Sequence, residues 1–338
     1  MPGPGAEGMG TTSFDLHGPR ILVVGCGGAG TNSVHRLTTA GVRGVRTVAV
    51  NTDRDHLSRT SCDHRVLLGD GAVRGTGGRP EIGARLAAFH EKEVRAAACG
   101  GDLTFVIAGL GGGTGTGLAP LVANWARIAG AVVVGVATMP FRAELHRQDA
   151  ARRGLEALRE SCSSLIVLDN DRLAKRVPDL PVEQAFAVMD HMVGEVIRGL
   201  ANAVNERSLI QLDFPDLREI LREGGPSTIL FGEGDMYAPE TLVASAMKNA
   251  LLDADYRNAR GAILQLSSAP NVRLGAVDDI VEGVRREIRS DARIAFGLRT
   301  DPEFEGSIRM MAVVTGVSSR LLPSRVSATS DFGMTVVR

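Results

Sequence analysis

The sequence predicts an α/β protein with a Rossmann-like parallel sheet, a long central helix and a second α+β domain. Short apolar runs alternate with helical patterns up to residue 181, which is typical of a parallel sheet wrapped by helices. A regularly spaced helical pattern follows over residues 182–205, and the composition changes after it. A chain of 338 residues is long enough for two domains or one large α/β domain.

The first domain is predicted to span residues 19–181. Residues 1–18, rich in glycine, proline, serine and threonine, are expected to form a disordered tail before it. Each predicted strand is a short, mostly aliphatic run that suits burial on both faces of a sheet. These strands are Ile21–Val24, Val45–Val50, Leu103–Ala108, Ala131–Ala137 and Leu165–Leu168.

The long helix is predicted over Val182–Asn205, with Pro181 in its first turn, and residues 182–210 form the central helix and the start of a loop. The second α+β domain is assigned to residues 211–317, and residues 318–338 to a short tail that ends in alternating apolar residues. Its predicted strands are Ala262–Leu266, Arg293–Leu298 and Ile308–Gly316, and its predicted helices are Thr241–Leu251 and Ala276–Ile288.

Charge and composition exclude several functional classes. A net charge of −1 argues against broad binding to nucleic acid or to an anionic membrane surface. The four cysteines form no C-x-x-C pair, which argues against a zinc site or a disulfide framework. The sequence shows no secretory signal and no apolar run of about 18 residues. We therefore expect a cytoplasmic protein with reduced thiols that does not insert into membranes.

The glycine-rich segment 111–117 is the strongest indication of function. It contains five glycines and two threonines and follows an apolar run. Bare backbone N–H groups form an anion-binding concavity, to which a helix N-terminus adds its positive dipole. We predict a loop that binds phosphate, followed by a helix from Leu118 with Pro120 near its first turn. A flexible linker is the alternative, and a Walker P-loop is excluded because no lysine follows the last glycine.

A second glycine loop, Gly25–Gly30, follows the first strand and fits the G-x-G-x-x-G pattern. Alone, it would suggest a nicotinamide or flavin protein, with Asp53 as the ribose-binding acid. Asp53 would equally suit a phosphate, a metal-bound water or the N-cap of a helix. Two glycine loops after two strands of one sheet indicate instead a single polyphosphate held from two sides.

Three further groups of charged residues lie at positions suited to a nucleotide. Arg74–Gly83 is a third glycine-rich loop, and its two arginines could meet phosphate charge. Glu144 could accept hydrogen bonds from ribose, and Arg147 could pair with phosphate, just after a predicted strand. A surface turn and solvated charges are the alternative interpretations.

Two groups of candidate residues lie at opposite ends of the long helix. Phe186 could stack on a base, or belong to the core, and Asp190 could accept hydrogen bonds from guanine N1–H and N2–H₂. Asp213 and Asp216 could polarise a water and bind Mg²⁺. About 20 helical residues separate the two groups by some 30 Å, so only two molecules stacked head to tail could bring them together.

Together these segments resemble the FtsZ family, prokaryotic relatives of tubulin, from about Arg20 to Val317. The segments that carry the resemblance are Gly-Gly-Gly-Thr-Gly-Thr-Gly at 111–117, Gly-Cys-Gly-Gly-Ala-Gly at 25–30, Ile-Val-Leu-Asp-Asn-Asp at 166–171 and Asp-Pro-Glu-Phe-Glu-Gly at 301–306. The last three lean towards the archaeal type. The resemblance implies a tubulin/FtsZ-like GTPase domain that uses GTP/GDP and Mg²⁺. It also implies head-to-tail filaments in a mid-cell division ring, with a membrane-tethering adaptor bound by the C-terminal tail.

The resemblance and the spacing together assign roles to individual residues. The loop containing Gln211, Asp213 and Asp216 would enter the next subunit's pocket and complete its GTPase site. No direct protein ligand is expected for Mg²⁺, which would bind through the phosphates; Asp213 is the one residue that could also ligate it. The candidate nucleotide-binding residues are Gly28, Ala29, Gly30, Thr31, Asn32, Gly112, Gly113, Thr114, Gly115, Glu144, Arg147, Phe186 and Asp190.

The sequence departs from the family pattern at four places. The third loop is two residues short, and the segment after Glu144 lacks the usual glycine. Thr31 and Gln211 stand where asparagine is usual. These departures leave open a paralogue that binds GTP and polymerises as a cytoskeletal or regulatory element with weak hydrolysis. A nicotinamide-dependent oxidoreductase is the more distant alternative.

Overall fold

The computed structural model of the chain describes residues 18–70, 75–205, 208–248 and 250–322. The predicted N-terminal tail, apart from its last residue, lies outside these ranges. So do Arg74 of the third glycine-rich loop and the part of the predicted C-terminal tail beyond residue 322.

Ten strands form one sheet through the whole described chain. Their order across the sheet is β10-β9-β11-β7-β6-β5-β4-β1-β2-β3, and β8 and β12 form a separate two-stranded sheet. Every pairing within the large sheet is parallel except those of β11. The strands are β1 Ile21–Cys26, β2 Val45–Asn51, β3 His64–Leu67, β4 Leu103–Gly109, β5 Val132–Met139, β6 Ser164–Asp169, β7 Gly225–Asp235, β8 Ala254–Asp255, β9 Gly261–Ser268, β10 Arg293–Thr300, β11 Ser307–Thr315 and β12 Ser318–Ser319.

Helices cover both faces of the sheet. The α-helices are α1 Gly27–Thr39, α2 Arg54–Arg59, α3 Pro80–Phe89, α4 Glu91–Ala98, α5 Gly113–Ile128, α6 Leu145–Ser161, α7 Asn170–Arg176, α8 Val182–Asn205, α9 Phe214–Glu223, α10 Glu240–Lys248 and α11 Leu274–Glu287. Alternate residues of β1 separate two cores: Ile21 and Val23 pack with α1, α8 and α9, whereas Leu22 and Val24 pack with α4, α5 and α6. The aliphatic strand sequences suit this burial on both faces.

The strands of the predicted second domain extend the first sheet. The start of β7 pairs in parallel with the start of β6, from Ser164 with Gly225 to Ile166 with Ser227. The buried Ser164 and Ser227 hydroxyls also share a hydrogen bond of 2.7 Å. The strands and helices that the sequence predicts in this region are all present. It does not predict β3, β7, the short β8 and β12, or α9, whose first turn it assigns to a loop.

The central helix α8 has the predicted bounds and is amphipathic, since its buried residues recur at helical spacing. It packs on the core with Met189, Val193 and Leu200, while its exposed residues include both polar and apolar side chains, such as Gln184 and Phe186. Within the described ranges, no helix is both long and apolar enough to cross a membrane.

The helix after the glycine-rich segment begins earlier than predicted. Helix α5 starts at Gly113, so the segment forms its first turns, and Pro120 lies inside it. The prediction that these glycines would not enter a helix was wrong because they serve close packing. A Cβ on Gly117 would lie 2.1 Å from the Pro80 carbonyl oxygen of α3, and one on Gly115 would lie 2.9 Å from two strand carbonyls. Only glycine permits so close an approach.

Candidate functional site

A cavity of about 1180 Å³ opens at the carboxyl ends of β1, β4 and β5. Open parallel sheets bind their ligands at this edge. Its walls come from α1, the start of α5, the loop after β5 and α8 between Glu183 and Arg198. The predicted residues that line it are Gly28, Ala29, Asn32, Gly112, Gly113, Thr114, Gly115, Glu144, Arg147, Phe186 and Asp190.

The starts of α1 and α5 meet at the floor of this cavity. A Cβ on Gly27, which has a φ of +70°, would lie 2.7 Å from the Gly115 nitrogen. Neither N-cap residue, Cys26 or Gly112, caps its helix with a side chain. The first N–H groups of both helices are therefore left for a ligand, and both helix dipoles favour an anion there. Gly112 has open space where a Cβ would stand.

Gly30 and Thr31 are not among the cavity-lining residues. A Cβ on Gly30 would lie 2.3 Å from the Ile107 carbonyl oxygen, so this glycine lets α1 pack against β4. Thr31 is fully buried and holds the turn after β2 by hydrogen bonds. Asp53 in that turn accepts from the His56 backbone at 3.0 Å and so is the N-cap of α2.

Glu144 and Arg147 lie at the mouth of the cavity and pair with each other at 2.8 Å. The Phe141 backbone N–H donates to Glu144, which fixes the carboxylate at the start of α6. Nearby, Asn170 is 7% exposed and lines the cavity, but its amide oxygen has no hydrogen-bond partner. A buried polar atom without a partner is rare, so this oxygen is suited to a polar ligand.

Phe186 is 39% exposed, and its ring lies 5.8 Å from that of Phe141. It is therefore part of the cavity wall rather than of the core, and it offers an aromatic face to a planar ligand.

Asp190 lies deeper on the same face of α8, where two side chains of α1 hold its carboxylate. The Ser33 hydroxyl donates to one oxygen at 2.5 Å, and the Arg36 guanidinium pairs with the other at 3.0 Å. Burial raises the pKa of Asp190, while the Ser33 hydrogen bond and the Arg36 charge oppose that rise. The group is thus a partly buried acceptor.

Sequence reasoning missed Ser33, Arg36 and Asn170. Ser33 and Arg36 are three residues apart and so share a face of α1. That spacing could have indicated a joint role, but their partner Asp190 is 157 positions from Ser33. Only the packing of α1 on α8 brings Ser33 and Arg36 together with Asp190.

Gln211, Asp213 and Asp216 do not line this cavity. They lie beyond the far end of α8, where all three are exposed. Asp213 is the N-cap residue of α9, and Asp216 is in its first turn. Fifteen residues of α8, or about 22 Å of helix, follow Asp190 before the helix ends at Asn205. One molecule therefore presents the cavity and these carboxylates at separate places, as the sequence predicted.

In the described part of the third glycine-rich loop, residues 75–83, Thr76 alone reaches the cavity. Thr76 is buried and lines the cavity, whereas Arg79 is exposed and precedes α3. Gly75, Gly77 and Gly78 all have positive φ, so this loop requires glycine for its backbone conformation.

Comparison with known proteins gives consistent similarities. Residues 20–178 match the Tubulin/FtsZ family, GTPase domain, and residues 225–318 match the FtsZ family, C-terminal domain. The chain is 41% identical over 306 residues to cell division protein FtsZ 2 of Methanocaldococcus jannaschii, covering 89% of this chain and 80% of that protein. It is also 41% identical over 304 residues to FtsZ 2 of Halobacterium salinarum, covering 89% and 77%.

Solved structures show the same similarity. A mutant FtsZ of M. jannaschii superposes with a TM-score of 0.83 at 37% identity, covering 89% of this chain and 92% of that one. An empty FtsZ dimer of the same organism gives a TM-score of 0.81 at 36% identity, with 88% of both chains covered. CetZ1 of Haloferax volcanii has a TM-score of 0.77 at 24% identity, which shows a shared fold alone.

Proposed function

Because this chain belongs to the Tubulin/FtsZ family and is a GTP-binding cell-division protein with GTPase activity, we propose that it hydrolyses GTP between successive subunits of a filament. The observation that carries this proposal is that the exposed Asp213 and Asp216 lie outside the cavity, beyond the far end of the helix that carries Phe186 and Asp190. A head-to-tail neighbour would supply these carboxylates to the nucleotide of the subunit before it.

The chemistry of the cavity wall supports one orientation of GTP. The phosphates would lie on the uncapped starts of α1 and α5, around Gly28 and Gly113. The ribose hydroxyls would reach Glu144, with Arg147 beside the phosphates. The base would stack on Phe186 and donate to Asp190, which adenine could not do in the same way.

The residues present fit a magnesium ion held mainly by the nucleotide. Among the described residues, no group of three His, Cys, Asp or Glu could hold a metal. Mg²⁺ commonly binds substrate phosphates and keeps several waters, so this cavity needs no protein cage. When bound, Mg²⁺ would neutralise charge on the phosphates. Asp213 of the neighbouring subunit could supply one further oxygen ligand.

Hydrolysis would be shared between two subunits. The backbone N–H groups at the start of α5 would stabilise charge on the γ-phosphate. Asp213 and Asp216 of the neighbour would orient the attacking water, and Gln211 would place its amide over the same nucleotide. Self-assembly is supported by the FtsZ dimer among the similar structures.

The runner-up is a paralogue that polymerises but hydrolyses weakly, because Gln211 is one methylene longer than the usual asparagine and the third loop is short. A displacement of about 1 Å is enough to slow catalysis. Turnover per polymerised subunit separates the two functions.

Light scattering with GTP, GDP or NAD⁺, followed by phosphate release, tests the main proposal. Scattering and phosphate release with GTP alone support it, whereas binding of NAD⁺ without either would overturn it.

The assembled protein would act at the mid-cell division site, tethered by an adaptor that binds the C-terminal tail. The tail ends in alternating apolar residues suited to a partner's groove or sheet edge. Removal of Ser324–Arg338 is expected to leave GTP-dependent polymerisation intact and to abolish recruitment to the division site in cells. Loss of polymerisation on truncation would show instead that the tail belongs to the folded core.

A further inference from the structure

A chain of hydrogen bonds links the turn between β2 and α2 to the wall of the cavity. We propose that His56 is a positioning residue for the nucleotide: its side chain holds the Asn32 side chain with the amide nitrogen towards the ligand. This inference rests on the proposed function, because it takes GTP as the occupant of the cavity.

The chain of hydrogen bonds begins at Asn51, which is 3% exposed. Its amide oxygen accepts the backbone N–H of Thr52 at 2.8 Å and of Asp53 at 3.3 Å. These two bonds fix which end of the amide faces the turn. The Asn51 nitrogen therefore lies on the other side, where it donates to the Thr31 hydroxyl oxygen at 3.4 Å.

The contact with Thr31 indicates that Nε2 of the His56 ring carries a hydrogen. Its hydroxyl donates its only hydrogen to the Gly28 carbonyl at 3.0 Å. The Thr31 oxygen can therefore only accept from other groups, and His56 Nε2 lies 3.3 Å from it. Nε2 must carry a hydrogen for this contact to be favourable. Both the Nε2–H tautomer and the charged imidazolium meet that requirement.

The same Nε2 fixes the amide of Asn32. The single Nε2 hydrogen is shared between two acceptors, and its main partner is the Asn32 amide at 2.7 Å, which is closer than the Thr31 oxygen. Because Nε2–H is a donor, the Asn32 atom facing it must be the amide oxygen. The Asn32 NH₂ group is then left for the cavity that this residue lines. Phosphate oxygens and the guanine N7 and O6 atoms are all acceptors, so the phosphates or this edge of the base would offer the NH₂ group a partner.

The turn keeps His56 in place independently of the ligand. Asp53 accepts the His56 backbone N–H at 3.0 Å, and Leu57 next to it is buried in the core. Without the imidazole, the Asn32 amide can rotate and present its oxygen to an acceptor of the nucleotide. We therefore expect His56→Ala to weaken GTP binding about 3- to 10-fold, the effect of one lost hydrogen bond.

A double-mutant cycle on the full chain tests this role. The affinities for GDP and GTPγS are measured for the parent, His56→Ala, Asn32→Ala and the double variant. His56→Gln is the conservative variant, because its amide N–H can still donate to Asn32. His64→Ala is the matched control, since His64 is exposed on the edge strand β3. Circular dichroism confirms that each variant folds.

The expected result is that His56→Ala weakens binding in the parent and not in the Asn32→Ala background. His56→Gln should restore affinity. For His56→Ala, the KM for GTP should rise while turnover at saturating GTP stays unchanged. An equal loss in both backgrounds would make His56 merely structural and overturn the proposal, as would no loss in the parent. If the parent itself fails to bind GTP, the proposed function fails; if the parent binds and only the coupling is missing, this inference alone fails.

Discussion

At the scale of single residues, Asp190 combines burial with an acceptor role. Both of its oxygens already have partners on α1 in the absence of ligand. Each carboxylate oxygen has two lone pairs, so guanine donors can be added without displacing Ser33 or Arg36. The residue that would read the base is therefore oriented before the base arrives, which lowers the cost of ordering it on binding.

Asp190→Asn tests base selection directly. The amide keeps the shape but replaces one acceptor by a donor, so guanine is left with an unpaired buried N–H. We expect GTP affinity to fall by about 1–3 kcal/mol with little change in fold. The same amide can donate to the 2-oxygen of xanthine, so binding of XTP should improve in a titration of both nucleotides. Unchanged GTP affinity would contradict the guanine-reading role.

The pH dependence of binding follows from the same carboxylate. Burial raises the pKa of Asp190, and the charged form is the one that accepts from guanine. GTP affinity should therefore fall with decreasing pH, with a midpoint above the usual range for an aspartate. Arg36→Ala removes an opposing charge and should move that midpoint to higher pH. A fluorescent GTP analogue titrated at a series of pH values measures both curves.

Loss of folding would not account for this loss of binding. A carboxyl group whose folded pKa is raised contributes stability fully below its unfolded pKa and loses it as pH rises through the folded pKa. Acid therefore does not destabilise the protein through Asp190. For the pH titration of Arg36→Ala, the matched control is Arg198→Ala, because Arg198 also lines the cavity but pairs with Glu195 rather than Asp190. An identical midpoint for Arg36→Ala and the parent would refute the Arg36 effect.

At the scale of elements, sequence pattern located most of the strands and helices but not the start of α5. Aliphatic runs such as Leu103–Ala108 are unambiguous because both faces of the strand are buried. Glycine in a helix is unfavourable by intrinsic propensity, so segment 111–117 was interpreted as a loop. The approach of α3 overrides propensity here, and that approach is not visible in the local sequence. The bond between Ser33 and Asp190 was hidden for the same reason.

Gly117→Ala separates propensity from packing. Propensity alone would make alanine stabilising by about 0.5–1 kcal/mol in a helix interior. The added Cβ would meet the backbone oxygen of Pro80 at 2.1 Å, which cannot move aside as a side chain can. We expect a net destabilisation of about 1–3 kcal/mol, measured by urea unfolding.

Gly194→Ala in α8 is the control for this substitution. Its Cβ would lie 3.8 Å from a Leu37 methyl carbon, an ordinary contact distance. This variant should be neutral or more stable than the parent. Stabilisation by both substitutions would show that contact with α3 does not require glycine at position 117.

At the scale of the whole molecule, one continuous sheet and the helix α8 fix the distance between the cavity and the exposed carboxylates of α9. Hydrolysis should therefore depend on the contact between subunits. Specific activity is expected to rise with protein concentration above a threshold, measured as phosphate release at saturating GTP. A specific activity that is independent of concentration would contradict an interfacial site.

The subunit contact also predicts that two inactive variants restore each other. Asp216→Ala should bind GTP but hardly hydrolyse it, since Asp216 is exposed and outside its own cavity. Gly112→Asp should fold, because Gly112 has space for a side chain and aspartate is favoured at an N-cap. Its carboxylate would occupy the start of α5 and repel the phosphates.

Mixing these two variants distinguishes a shared site from one confined to a subunit. In the mixture, Gly112→Asp subunits still carry an intact Asp216, which can reach GTP held by the Asp216→Ala subunits. Turnover should therefore recover in part and peak at an intermediate ratio, because each productive contact needs one subunit of each kind. A site within one subunit predicts no recovery at any ratio. Gln211→Asn in the parent tests the cause of any weak hydrolysis. Faster turnover of this variant would assign the weak hydrolysis to the longer side chain of Gln211. Unchanged turnover would assign it to the shortened third loop.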